Sequence, residues 1–349
     1  VSQGLDELGL TEDEPQEEVS RRRERRTARR VLIAVGALLL LLFGSVAGFV
    51  GYLGYTVNGN VTQEDLLPDP TTPVTAPDGK QVPTSGVGTN FLLVGSDSRG
   101  ANDQGRSDVI ILVHIPENPS TIEMIHFPRD LYVSIPGHGK NKINASYAFG
   151  GTPLLVQTLQ NLLGVKIDHV AKTDFEGFKD MTDAVGGVRV YAEEASNGRG
   201  NGGPTVIHKG WNELDGTQAL DFVRERYQLS QGDISRGRRQ LAFIKALLLK
   251  ATSKETLTNP ITIAKFTDAA TKNLTVDKTL TIGAMKDYAF ELKGLRADDV
   301  VFATAPFTGF GMDPVAGSID IVDTQKMALL GEALRTDTMD DYLDVYQTP

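Results

Sequence analysis

Phe91–Ile115 reads FLLVGSDSRGANDQGRSDVIILVHI, and the parsing of this stretch decides the fold. Two short apolar runs, FLLVG at 91–95 and DVIILVHI at 108–115, flank a polar segment. Near-continuous apolar runs of this length mark strands of a sheet covered on both faces. TIEMIHF (121–127) and LYVSI (131–135) read the same way. Further on, TPLLVQTLQNLLG (152–164) predicts a helix closed by Gly164, followed by a strand around 169–173, a helix over 175–184 and a strand in GGVRVYA at 186–192. GRGNGG at 198–203 reads as a flexible excursion. Helices are expected over 217–224, 235–252, 259–272, 281–293 and 324–335, with a late strand in DDVVFATA at 298–305. This alternation indicates α/β layers in one domain.

Upstream the character changes. Residues 1–20 are polar and acidic and read as disordered, and RRRERRTARR follows at 21–30. Val31–Val57 carries no charge and exceeds the roughly 20 residues that cross a bilayer as a helix. With the arginines on its N-terminal side, the positive-inside rule predicts a single-pass protein of the cell membrane, N-terminus cytoplasmic and the rest extracytoplasmic. A cleaved signal peptide ending near Ser45-Val46-Ala47 is the rival reading, and the apolar residues that continue past it favour an uncleaved anchor. Residues 58–88, rich in Pro, Thr, Asp and Gly, read as an extended linker. The expected organisation is thus a tail at 1–30, a transmembrane helix at 31–57, a linker at 58–88 and a catalytic domain at 89–340.

Composition excludes several functions. The 349 residues contain no cysteine, so disulfides, thiolate metal sites and thiol nucleophiles are out. A net charge of −10 argues against a nucleic-acid partner. Five histidines without HExxH spacing disfavour a zinc enzyme. The chain has no GxxxxGK[ST] loop and no GxSxG elbow, which disfavours Walker-type nucleotide hydrolysis and serine hydrolysis.

Against that acidic background Leu220–Leu241, LDFVRERYQLSQGDISRGRRQL, concentrates Arg224, Arg226, Arg236, Arg238 and Arg239. Ser235 reads as the N-cap of an apolar helix on which Arg236, Arg239 and Gln240 share one face. Guanidinium forks near a helix N-terminus suit phosphate oxygens. The alternative is a solvated basic face paired with Asp233 and Glu225. Arg224 and Arg226 cannot share a helical face, so the preceding helix is expected to end near Arg224 and leave Arg226 in extended chain. Asp97, beside Arg99, and Asp108, beside Arg106, stand at the mouths of two strands, where paired carboxylates can hold Mg²⁺ against a phosphate; the alternative is that each caps a turn. Arg129 and Asp130 follow a strand end, as ligand or as a turn-stabilising ion pair. Lys142 and Asn144 open a short helix, as ligand contacts or, for Asn144, as an N-cap. Arginines with a few aspartates form a set suited to phosphoryl or pyrophosphate chemistry.

In order, LLVGSDSR, RSDVIILVHI, FPRDLYVSIPG, KINASYAFGG, TDFEGFKDMTDAVGGVRV and LDGTQALDFVRERYQLSQGDISRGRRQ resemble the LytR-CpsA-Psr family over roughly residues 90–255. The resemblance implies a three-layer α/β/α domain with a central mixed sheet, outside the membrane. It implies an Mg²⁺-dependent phosphotransferase (Mn²⁺ as substitute) moving a glycopolymer from a polyprenyl-pyrophosphate carrier to peptidoglycan through a phosphodiester, releasing polyprenyl phosphate. By motif, Asp97 and Asp108 would ligate the metal, and Asp97 would serve as base. Arg99, Arg106, Arg129, Arg224, Arg226, Arg236 and Gln240 would grip the pyrophosphate. Asp130, Lys142, Asn144, Asp233 and Arg239 would support them, and the apolar helices at 152–164 and 241–250 would line a prenyl pocket. A wall teichoic acid or arabinogalactan is the kind of polymer expected, and the composition indicates a Gram-positive, actinobacterial source. A pyrophosphatase acting on the same lipid, and a non-catalytic membrane-tethered regulator, are the alternatives.

Overall fold

The computed structural model describes residues 45, 48–75, 79, 81, 86–96, 107–296 and 299–346. The acidic tail, the arginine block, most of the 31–57 span, and Asp97, Arg99 and Arg106 lie outside them. Residues 48–60 are helical, and among the described residues no helix is long and apolar enough to cross a membrane.

From Thr56 onward the chain forms one compact unit around a seven-stranded mixed sheet. Its central strands are β2 (Thr89–Ser96), β3 (Ser107–Ile115) and β4 (Ile122–His126), antiparallel neighbours in that order. On one side β7 (His169–Asp174) runs parallel to β2, followed by β12 (Leu274–Asp277) and β1 (Thr62–Glu64). On the other, β13 (Val300–Thr304) runs parallel to β4. The strand alternation sends Leu92, Val94, Ile110 and Leu112 to one face and Leu93, Val109 and Ile111 to the other, and both faces are covered.

The first face is sealed by α1 (Ile143–Leu163), α8 (Thr324–Thr336) and α9 (Met339–Tyr346). Helix α1 breaks at Gly150 and Gly151, the latter at φ 65°, so a short turn at 143–149 is followed by the longer apolar helix, which ends on left-handed Gly164. The second face carries α4 (Asp233–Ala251). Helices α2 (Phe175–Ala184) and α3 (Gly216–Arg224) and the ribbon of β8 (Val188–Ala192) with β11 (Gly210–Leu214) build a satellite core against α4. Between those two strands β9 (Ser196–Asn197) pairs antiparallel with β10 (Val206–Ile207), and α5 (Lys254–Leu257), α6 (Pro260–Lys272) and α7 (Ile282–Glu291) follow α4 along the chain.

A second sheet of four strands, β14 (Phe307–Asp313), β15 (Gly317–Val322), β5 (Leu131–Ile135) and β6 (Gly139–Lys142), adjoins the first. The chain passes from the first sheet to the second twice, at Phe127–Asp130 between β4 and β5 and at Ala305–Pro306 between β13 and β14, and returns once in between, from β6 through α1 to β7.

Several expectations need correction. The segment 58–88 is not purely a linker. β1 pairs with β12, Leu66 is buried in the main core, and the Thr75 amide donates to Asn161, because Leu66 and Val74 are apolar enough to dock despite the Pro- and Thr-rich surroundings. Helix α4 starts two residues before Ser235: Gly232 adopts φ 54°, which frees Asp233 to enter the first turn, and the Ser235 hydroxyl donates to Glu194 rather than capping. The loop at 198–203 packs closely rather than standing free, since Gly202 and Gly203 lie against Asp221 and Glu225.

Candidate active site

The crossing between β4 and β5 meets the N-terminal turns of α4, and charge gathers there. Arg129 forms a hydrogen-bonded ion pair with Asp108 at the start of β3, and its Nε lies 3.7 Å from Asp233 and 3.8 Å from Asp130. Its backbone amide donates to Asp233 (3.2 Å). Asp233 also ion-pairs with Arg236 one turn along the helix. Asp130 holds Lys142 Nζ at 3.2 Å on one oxygen and Arg226 at 3.2 Å on the other. Arg226 can reach it because α3 stops at Arg224 and Glu225 is extended (φ −62°, ψ 132°). Arg224 is half-buried at that helix end.

These are not solvated pairs. Asp233 and Arg236 are 5% and 6% exposed, which rules out the solvated basic face for this part of the run. Burial pushes the Asp233 carboxyl up against the pull of Arg236, and burial pulls the Arg236 guanidinium down against Asp233. Burial also opposes the charge of Arg129, yet Asp108, Asp233 and Asp130 together hold its pKa above the usual arginine value. Only a site crowded with opposite charge produces that sign.

The other nominated residues divide. Asn144 is buried at the second position of α1, its amide donating to the Arg129 carbonyl, while Lys142 occupies the N-cap place without a side-chain cap. Gln240 donates to the Asp108 carbonyl (3.4 Å) and the Val223 carbonyl (3.5 Å), and its own Oε1 is buried without a partner. Arg239 shares a helical face with Arg236 but is turned elsewhere: it donates to the Glu194 carbonyl (2.7 Å), Ser196 Oγ and the Phe222 carbonyl, and burial lowers its pKa to about 10. Arg238 pairs with Glu193 at 2.9 Å.

Two residues escaped sequence reasoning. Asp320 on β15 is 3% exposed; its amide donates to the Asp130 carbonyl (2.9 Å), and its Oδ2 has no partner. Burial, then the Asp233 and Asp130 carboxylates, push it up to about 7. His126, at the end of β4, is fully buried against Gly237, and burial with Arg236 nearby lowers it to about 3. A β-carbon on Gly237 would collide with the imidazole, so this glycine sets how closely α4 approaches the sheet. Neither residue sits in a charged motif, and the glycine of Arg-Gly-Arg-Arg was the one available signal.

Beside the cluster a cavity of about 210 Å³ opens between the second face of the sheet and α4. Leu93, Val109, Ile111, Phe243, Ile244 and Leu247 line it, with Gln240 at the wall it shares with Asp108. Helix 241–250 therefore lines an apolar cavity as expected. Helix 152–164 does not: Leu155, Leu159 and Leu163 are fully buried in the solid core on the opposite face.

For a divalent cation, the donor chemistry fits. Asp108 contributes a carboxylate, and the oxygens of Ser107 Oγ and Gln240 Oε1 are buried without hydrogen-bond partners. Among the described residues no group of three or more His, Asp or Glu could hold a metal ion by itself.

The LytR_cpsA_psr family model matches residues 58–336. The chain belongs to this family. Among curated relatives, the probable cell wall biosynthesis protein LcpB of Corynebacterium glutamicum is 35% identical over 264 residues, covering 71% of this chain and 61% of its own length. The polyisoprenyl-teichoic acid–peptidoglycan teichoic acid transferase TagT of Bacillus subtilis is 31% identical over 245 residues, covering 68% of this chain and 76% of its own. Of solved structures, TagV of B. subtilis superposes with a TM-score of 0.60 at 26% identity, covering 76% of this chain and 100% of TagV. TagT bound to LI-WTA gives 0.59 at 27% identity, covering 76% and 99%. The mixed α/β architecture is that of this family.

Proposed function

We propose that this protein is a phosphotransferase that moves a glycopolymer from a polyprenyl-pyrophosphate carrier onto peptidoglycan. The observation that carries the reading is adjacency: an apolar cavity shares Gln240 and the β3 start with a cluster of guanidinium groups. A ligand with an apolar tail and a pyrophosphate head is the amphiphile such a site takes. The names of TagT and its relatives support the same donor and acceptor.

In the reaction, a peptidoglycan hydroxyl oxygen attacks the phosphorus bearing the glycopolymer. The bond from that phosphorus to the bridging oxygen breaks, polyprenyl phosphate leaves with the electron pair, and the hydroxyl proton passes to a carboxylate, for which Asp97 is the candidate. Arg129, Arg226 and Arg236, with Arg224, Arg99 and Arg106, neutralise the phosphate oxygens as charge shifts to the leaving group. Arg129 is held for this by Asp108, Asp130 and Asp233, so that little reorganisation accompanies turnover. Asp97 and Asp108 would hold Mg²⁺, which would supply further charge neutralisation at the pyrophosphate. The 31–57 span would tether the domain outside the cell membrane beside a carrier that never leaves the bilayer, which raises the encounter frequency.

The test uses the full chain in vesicles with a labelled polyprenyl-pyrophosphate glycan, peptidoglycan strands, and Mg²⁺ or a chelator. Metal-dependent attachment of label to peptidoglycan is expected. Release of free glycan or glycan phosphate without attachment would favour a pyrophosphatase, and tight binding without turnover a tethered regulator.

A further inference from the structure

Residues 198–203, GRGNGG, take no part in the chemistry above, yet their backbone lies against the segment that carries two of its arginines. A β-carbon on Gly200 would run into the Glu225 carboxylate, one on Gly202 into the Asp221 carbonyl and Glu225, and one on Gly203 into the Asp221 carboxylate. Gly203 also adopts φ 138°. The composition of the loop thus follows from close approach, not from freedom of movement.

In this approach Asn201 spans the arginine pair. Its Oδ1 accepts the amides of Arg226 (2.9 Å) and Tyr227 (3.2 Å), and its Nδ2 donates to the Arg224 carbonyl (3.2 Å). That carbonyl belongs to the last turn of α3, where backbone acceptors lack intrahelical partners. From the other side Glu225, 2% exposed, accepts the amides of Arg226 (2.9 Å) and Gln228 (3.1 Å) on one oxygen and that of Gly202 (3.2 Å) on the other. The Asp221 carboxylate anchors the far end of the loop by accepting the Thr205 amide (3.1 Å) and hydroxyl (2.5 Å). Peptide groups on both sides of the Arg224–Arg226 step are therefore fixed by side chains outside the regular elements.

We infer that Asn201 is a positioning residue: with its glycine neighbours it clamps the chain from Arg224 to Tyr227 and so aims Arg226 at the donor pyrophosphate. The inference rests on the arginine roles proposed above. Extended chain just past a helix end is otherwise soft, and a displacement of about 1 Å at a charge-stabilising group can lower turnover on the order of a hundredfold. Asn201 is exposed, so its truncation leaves no cavity and removes only the clamp.

The test compares full-length wild type with Asn201→Ala, Asn201→Asp and Arg226→Ala. Three quantities are followed: unfolding temperature, exchange of the Tyr227 amide, and kcat and KM for the lipid-linked donor. In Asn201→Ala the unfolding temperature holds, the Tyr227 amide exchanges faster, and kcat/KM falls about ten- to a hundredfold, mostly through kcat. Asn201→Asp still accepts both amides and recovers part of both the protection and the kcat. Unchanged Tyr227 exchange in Asn201→Ala overturns the clamp. So does faster exchange with wild-type kinetics, provided Arg226→Ala is impaired. If Arg226→Ala also transfers normally, the arginine assignment fails and the aiming role of Asn201 fails with it.

Discussion

Leu159 and Phe243 are both fully buried on helices that cover the central sheet, one on each face, yet their surroundings differ. Around Leu159, helices α1, α8 and α9 interlock into one continuous core. Around Phe243 the helix stands off, a cavity of about 210 Å³ persists, and charged groups gather at the N-terminal end of α4. Close packing stabilises, and an unfilled apolar space forgoes contacts. One face is therefore closely packed, and the other keeps an open apolar cavity beside the charged cluster.

The largest effect expected from breaking this division is at Arg129. Arg129→Ala leaves Asp108, Asp130 and Asp233 without their shared guanidinium, and label attachment to peptidoglycan should fall by about 10²–10³-fold. On the solid face, Leu159→Ala should lower stability by about 2–5 kcal/mol, read from urea unfolding, while the rate per folded molecule stays near wild type. On the open face the asymmetry reverses. Ala171 lines the cavity, and Ala171→Leu should leave the unfolding temperature unchanged or raised while the donor KM climbs about tenfold.

The smallest effect sharpens the comparison through pH. Asp320 is raised to about 7, so between about pH 4 and about pH 7 the folded state holds a proton that the unfolded chain has lost. Its contribution to stability is full below about pH 4 and is lost as pH rises through about 7. Asp320→Asn should remove that slope, gaining on wild type by a few degrees of unfolding temperature between about pH 5 and about pH 8. His126 titrates with the opposite sign. Lowered to about 3, it destabilises the fold as pH falls below about 6.5, because the unfolded chain takes up the proton first, and this slope should persist in both proteins. An unaltered profile in Asp320→Asn would mean that Asp320 is ionised throughout.

Much of this was legible in the chain. LYVSI and FEGFKDMTDA mark their strand and helix to the residue, because periodicity and local composition agree there. The density of arginines around Asp233 set that stretch apart from the acidic background, while the window itself left open whether those charges are solvated or buried. The β14–β15 hairpin was not read: FTGFGMD places two glycines and the exposed Phe310 and Met312 in one strand, so no apolar face stands out. Asp320 within GSIDIV looks like any polar residue of an edge strand until β5 is known to be its neighbour. Arg239 shows a related limit. Helical spacing gives the direction of a side chain, but its partners, the Glu194 and Phe222 carbonyls, are set by how the end of β8 and helix α3 pack against α4.

The pairing of β15 with β5 also bears on the order of synthesis. Asp320 and Ile321 sit beside Leu131 and Tyr132, immediately after Arg129 and Asp130. A chain emerging from the ribosome thus exposes its arginines and the open edge of β5 long before the strand that covers them exists. The charged cluster is therefore completed only once β15 has been made. A product cut short ahead of β15 would carry every arginine of the cluster and still lack the strand that pairs with β5 beside it.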